Sequence, residues 1–131
     1  MNNIIKIALI SFSFFSISTA SLATEFSPRE PGTNSIYFVG GNWLELQRGW
    51  NTLKLKITAS DESVVTGADV TVNYDMLGHS MHPPIKPVIE VGDGVYEKQV
   101  FLGMRGAWKF DTHIQKDATE DTHSKTQDVP N

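Results

Sequence analysis

The chain of 131 residues contains no cysteine. This absence excludes disulfides, zinc sites built from thiolates, copper sites of the electron-transfer type that need a thiolate, and cysteine nucleophiles. It also excludes lipid attachment through a cysteine. The folded domain must therefore be stabilised by its core and its hydrogen bonds alone.

An excess of positive charge is also missing. The chain has 11 Lys and Arg against 15 Asp and Glu, which gives a formal net charge of −4. Nucleic acids and anionic membrane surfaces are recognised by clustered basic residues. We therefore expect neither of them as a partner.

A catalytic set of residues is missing as well. Ser80 lies between His79 and Met81, but neighbours in an extended chain point in opposite directions. No carboxylate is placed to orient an imidazole as the acyl-transfer triad requires. We expect that the protein is not an enzyme.

The N-terminal segment has the pattern of a secretory signal. Lys6 precedes an apolar run at 7–17, and Ser21-Leu22-Ala23 forms a small-x-small cleavage site. The run is shorter than the roughly 20 residues of a membrane span. We predict a signal peptide at 1–23, export to the periplasm, and no stable membrane association after cleavage; the alternative is an uncleaved N-terminal anchor.

The rest of the chain has a hydrophobic period near two and no useful helical period. Such alternation is typical of strands with one buried and one solvated face. The sequence predicts an all-β fold, an immunoglobulin-like antiparallel β-sandwich of about seven strands. The alternating or apolar segments are 36–39, 43–47, 52–59, 68–76, 85–91, 95–102 and 108–115.

The composition divides the exported part into three pieces. Residues 24–35 are predicted to be an irregular lead-in, and 36–115 the sandwich domain. Residues 116–131 are polar throughout and are predicted to form a disordered tail, with His123 in solvent.

The segment 76–84 carries the main candidate for function. Met76, His79, Met81 and His82 lie there between glycine and proline residues. Thioether and imidazole ligands together suit copper, above all Cu(I). In extended backbone His79 and Met81 point the same way and His82 points oppositely, which favours His79 with Met81.

Met104 is the fifth candidate ligand. If successive strands run up and down, the connection that contains Met104 lies at the same end of the sandwich as the 76–84 segment, and so does Trp50. Each candidate also has a structural interpretation. Met76 is in phase with core residues, Met104 covers the core near Trp108, and the two histidines are exposed loop residues.

The order of these segments resembles the YtkA-like and FixH-like families of exported bacterial domains. The shared features are a strand that ends in methionine, a loop with Gly, His, Met and Pro, the hairpin at 92–96 and the Met-x-Gly-x-Trp segment at 104–108. The resemblance covers 53–114. Leu77 stands where these families usually have proline, and the loop has fewer methionines than many members.

The resemblance implies an Ig-like sandwich outside the cytoplasm, loosely linked to copper delivery and to the assembly of cytochrome oxidases. The residues that match the family's Met/His loop are Met76, His79, Met81 and His82, with Met104 on the second segment. We expect a domain that binds copper and delivers it to a partner such as a cuproprotein or a respiratory oxidase. The alternative is a metal-free interaction or assembly module that uses the same methionine-rich rim.

Overall fold

The computed structural model describes residues 26–130, so the predicted signal peptide at 1–23 lies outside the described residues. This part of the chain contains no helix that is long and apolar enough to cross a membrane. Its strands are β1 (Glu30–Pro31), β2 (Tyr37–Gly41), β3 (Gly49–Ala59), β4 (Asp69–Met76), β5 (Val88–Gly92), β6 (Val95–Leu102), β7 (Gly106–Lys116) and β8 (Thr119–Val129).

The strands form two antiparallel sheets. One sheet has the order β1-β2-β3-β6-β5 and the other the order β4-β7-β8. All strand pairs are antiparallel. The predicted antiparallel sandwich is confirmed. β1 and β8 are strands that the sequence pattern does not indicate.

The predicted alternation builds the core between the sheets. Leu53, Leu55 and Ile57 of β3 are at most 1% exposed. Trp108 and Phe110 of β7 are equally buried on the opposite sheet. Each such side chain contributes roughly 1.5–3 kcal/mol by leaving water, so these strands provide much of the stability.

The hairpin predicted at 92–94 is present between β5 and β6. Asp93 and Gly94 both have positive φ angles, 55° and 74°. This backbone is that of the type I′ turn, whose twist matches the twist of the paired strands and which favours Asp-Gly.

The predicted disordered tail is wrong over most of its length. Residues 119–129 form β8, which pairs with β7 from Lys116↔Thr119 to Gly106↔Val129. His123, predicted to be in solvent, is 3% exposed, and Val129 is 1% exposed.

The sequence pattern does not indicate β8 because most of its inward positions are polar. Asp121 is 2% exposed and accepts hydrogen bonds from the backbone N–H groups of Asn34 (2.8 Å), Ile36 (2.9 Å) and Tyr37 (3.1 Å). Bonds to an ionised acceptor offset the cost of burying it. The donors lie more than 80 residues away in sequence, so a local pattern does not reveal them.

The predicted lead-in at 24–35 is also partly structured. Glu30–Pro31 forms β1, and the N–H of Ser27 donates to the carbonyl of Gly41 at 2.8 Å. Because β1 and β8 both belong to the sheets, the sandwich extends beyond 36–115 on both sides. Within that range, the strand predicted at 43–47 is instead a 3₁₀ turn at Trp43–Glu45.

Candidate metal-binding site

The loop after β4 meets the β6–β7 connection at one end of the sandwich. The N–H of Leu77 donates to the carbonyl of Ala107 at 2.9 Å. A Cβ added to Gly106 would lie 2.7 Å from the Cε of Met76, so the two segments are in direct contact. The predicted convergence of these two connections is confirmed.

The start of the loop is shaped by hydrogen bonds to β4. The N–H of His79 donates to the carbonyl of Met76 at 3.2 Å, and Gly78 supplies a φ of 79° for this turn. Oδ1 of Asp75 then accepts from the N–H of Met81 at 2.8 Å. Met81 is thus held against the end of β4.

A cleft of about 250 Å³ lies between this loop and the neighbouring strands. Its walls are mostly apolar, and Met81 and His82 are the two lining residues that carry a soft or borderline metal ligand. The lining residues are Met81, His82, Pro83, Pro84, Phe101, Gly103 and Trp108.

The structure pairs Met81 with His82 at this cleft, whereas His79 is not among the lining residues. The extended-chain argument for His79 does not apply here because His82 has a φ of 48°. That angle is outside the extended region, so strict alternation of side chains fails. The side chain of His79 is exposed, and Nε2 of His82 lies 3.3 Å from Oγ of Ser80.

The other two predicted ligands, Met76 and Met104, do not line the cleft. Met76 is partly buried and packs against the core, as its structural interpretation expects. Met104 is 49% exposed on the β6–β7 connection, and its carbonyl accepts a hydrogen bond from Nε1 of Trp108 at 2.8 Å. Trp108 lines the cleft, so the backbone of Met104 is fixed next to it.

In residues 26–130, His, Asp and Glu side chains do not form a metal site by themselves. Within residues 26–130, no group of three or more His, Asp or Glu side chains could hold a metal ion. Thioether and imidazole groups, the types that Met81 and His82 carry, suit a soft ion such as Cu(I) and do not suit hard ions, which prefer oxygen.

An exposed aromatic pair adjoins the cleft. Trp50 and Phe101 are register partners on β3 and β6, and their ring centroids lie 5.2 Å apart. They are 54% and 37% exposed. Nζ of Lys86 lies 5.7 Å from the centre of the Trp50 ring, a cation–π distance. Trp50 is thus at the end of the sandwich where the strand directions predict it.

A cluster of Glu30, His123 and Lys125 lies between β1 and β8, and the sequence pattern does not indicate it. Nε2 of His123 lies 3.0 Å from Oε1 of Glu30, and Nζ of Lys125 lies 3.5 Å from Oε2 of the same carboxylate. Burial raises the pKa of Glu30, but the hydrogen bonds and charges of His123 and Lys125 outweigh it, and the pKa is below its ordinary value. This cluster joins β1 to β8 and is a structural contact.

Comparison with known proteins places these features in a family. The profile of the YtkA-like family matches residues 44–113, more than half of the chain. No curated protein matches the sequence. The structure is similar to that of the Lin-41 filamin domain, with a TM-score of 0.52, 10% identity, and coverage of 77% of this chain and 98% of that chain. At this identity the likeness shows the Ig-like fold alone, whereas the profile match shows that the chain belongs to the YtkA-like family.

Proposed function

We propose that this domain works outside the cytoplasm as a copper-binding module that takes up Cu(I) at the cleft and passes it to a partner protein. Met81 and His82 are the central ligands. Met104 is the ligand from the second segment. No chemical conversion is involved, since transfer needs only the exchange of ligands between two proteins.

The observation that carries this proposal is the meeting of two distant segments that both hold soft donors. Met81 and His82 line one cleft with Trp108. The indole N–H of Trp108 donates a hydrogen bond to the backbone carbonyl of Met104. Thioethers do not titrate, so they retain affinity where an imidazole becomes protonated. This property suits a compartment whose pH varies.

The loop is also partly organised before any ion binds. Asp75 fixes the backbone of Met81, and Pro83-Pro84 restricts the backbone after His82. Restricting the free loop lowers the conformational entropy lost on binding. These features support a binding role for a segment that is otherwise exposed.

The test is a competition titration of the protein against a Cu(I) chelator under anaerobic conditions. The key variant is Met81→Leu combined with His82→Asn, because Leu preserves volume and Asn tolerates the positive φ of His82. Two lost ligands should weaken Cu(I) binding by about 100-fold or more, beyond the range seen for groups that only orient ligands.

A matched control is His113→Asn, which removes a half-exposed histidine from the outer face of β7. Its affinity should equal that of the unaltered protein. Equal affinity for the Met81/His82 double variant would remove the proposed site. If His79→Asn lowers the Cu(I) affinity more than His82→Asn does, the ligand pair is His79 with Met81, as the extended-chain argument predicts.

A metal-free interaction module is the second candidate function. It is favoured by the exposed Trp50–Phe101 pair beside the cleft, since exposed aromatic groups are typical of binding surfaces. If the domain only docks a partner, Trp50→Ser should weaken the complex while the Met81/His82 double variant leaves it unchanged. If it delivers copper, Trp50→Ser should slow transfer without changing Cu(I) affinity.

A further inference from the structure

A second cleft lies between β4 and the segment that leads into β5, and it shares no lining residue with the candidate metal site. Its volume is about 390 Å³, within the range of small-molecule sites. Val70 and Val72 are inward-facing residues of β4 that form one wall. We call this cleft the lysine slot; its main lining residues are Val70, Val72, Ile85, Pro87, Val88 and Lys98.

The lysine slot contains a buried cation. Lys98 lies on β6 in the inward phase with Tyr96 and Val100, and it is only 7% exposed. Its Nζ donates a hydrogen bond to the carbonyl oxygen of Lys86. Within residues 26–130 this carbonyl is the one hydrogen-bond acceptor of Nζ, so the ammonium group has further N–H donors for a ligand.

The ammonium group of Lys98 has no counter-ion in the lysine slot. No carboxylate lines the lysine slot, and no ion pair to Lys98 occurs in residues 26–130. A buried charge without a counter-ion is costly and commonly marks a functional site. Consistent with this, burial lowers the pKa of Lys98.

The mouth of the lysine slot is apolar. Ile85 is 98% exposed there, next to Pro87. When a ligand with an apolar surface covers this exposed isoleucine, the burial of apolar surface contributes favourable binding free energy. The slot thus combines apolar walls, an apolar mouth and one buried positive group.

We propose that the lysine slot binds a small aliphatic carboxylate. The carboxylate accepts hydrogen bonds from the Lys98 ammonium group, and the alkyl tail lies against Val70, Val72 and Val88 with Ile85 over it. This inference does not depend on copper binding, because the two clefts have separate linings. The competing explanation is that Lys98 serves only to hold the carbonyl of Lys86.

The experiment is a titration of the ¹⁵N-labelled protein with sodium hexanoate, followed by NMR. Saturable shifts of the amide signals of 70–73 and of Val88 are expected. Hexanamide has the same tail without the charge, and it should bind about tenfold more weakly or worse, as expected for the loss of a charge-assisted hydrogen bond.

Variants then test the role of the lysine. Lys98→Met should weaken hexanoate binding by about tenfold or more, whereas Lys109→Met, an exposed lysine on the outer face of β7, should leave it unchanged. The hexanamide comparison uses unaltered protein, so it remains decisive if Lys98→Met does not fold. Absence of saturable shifts, equal binding of hexanoate and hexanamide, or full affinity in a folded Lys98→Met protein would each overturn the proposal.

Discussion

The backbone N–H of Met81 donates a 2.8 Å hydrogen bond to Oδ1 of Asp75, six residues earlier in the chain. The same oxygen accepts from the N–H of Met76 at 2.9 Å. One carboxylate on the outer face of β4 therefore fixes both ends of the turn that leads to the candidate metal site. Met81 is thus held both by this bond and by the packing of its side chain against the core.

Asp75→Ala should weaken Cu(I) binding while leaving the sandwich folded. The substitution frees the backbone of Met81, so the loop must be ordered on binding, and the loss should be about 10-fold to 100-fold, the range for groups that orient metal ligands. Chelator competition measures the affinity, and hydrogen exchange of the Met81 amide reports the loosened loop. Asp75→Asn keeps an acceptor oxygen and should lose less; unchanged exchange in Asp75→Ala would show that this bond does not hold the loop.

Removing β8 should prevent folding of the domain. A chain that ends at Lys116 lacks Val129 and His123, both buried, and leaves one edge of β7 without its partner strand. Cooperative thermal unfolding, followed by circular dichroism, should therefore disappear. A chain that ends at Val129 is the matched control and should unfold like the full sequence. Cooperative unfolding of the shorter chain at the normal temperature would mean that β8 contributes little.

Asp121 should make the protein sensitive to acid. Burial raises the pKa of Asp121, but the backbone N–H donors of Asn34, Tyr37, Ile36 and Thr122 outweigh it, and the pKa is below the ordinary 3.8. A group with a lowered folded pKa adds stability above its unfolded pKa and loses it as the pH falls through the folded value. The free energy of unfolding should therefore decrease with falling pH below 3.8.

Denaturant unfolding at a series of pH values checks this expectation. Asp121→Ala leaves several buried N–H donors without an acceptor and should cost about 3 kcal/mol or more at neutral pH. Asp121→Asn should flatten part of the acid dependence. A remainder should persist because the pKa of Glu30 is also lowered. An acid profile unaffected by Asp121→Asn would contradict this assignment.

Lys98 should add a separate rise of stability with pH, at alkaline pH. Burial lowers its pKa below the ordinary 10.5. Between the folded pKa and 10.5 the unfolded chain binds more protons at this residue, so the free energy of unfolding should rise with pH. Lys98→Met should remove that rise and be as stable as the unaltered protein, or more so, at neutral pH. A clearly less stable Lys98→Met protein would show that the bond to Lys86 outweighs the cost of burying the charge.

Sequence reasoning predicted the site in outline. It placed Met76, Met81 and Met104 at one end of the sandwich because strand direction follows from counting alternating segments. It chose His79 over His82 because it assumed extended backbone, and the positive φ of His82 breaks that assumption. It missed Lys98 as a buried group, although the inward phase shared with Tyr96 and Val100 was a readable signal.

The amino-acid sequence alone determined the strands β2 to β7, the Asp93-Gly94 hairpin and the absence of thiol chemistry, since each depends on residues next to one another or on composition. Only the tertiary structure decided that 119–129 is a strand and which donors share a cleft. The reason is that a buried polar residue is stable only with partners, and the partners of Asp121 and His123 come from the other end of the chain. Local periodicity records which side chains are apolar, but it does not record where distant hydrogen-bond donors will meet.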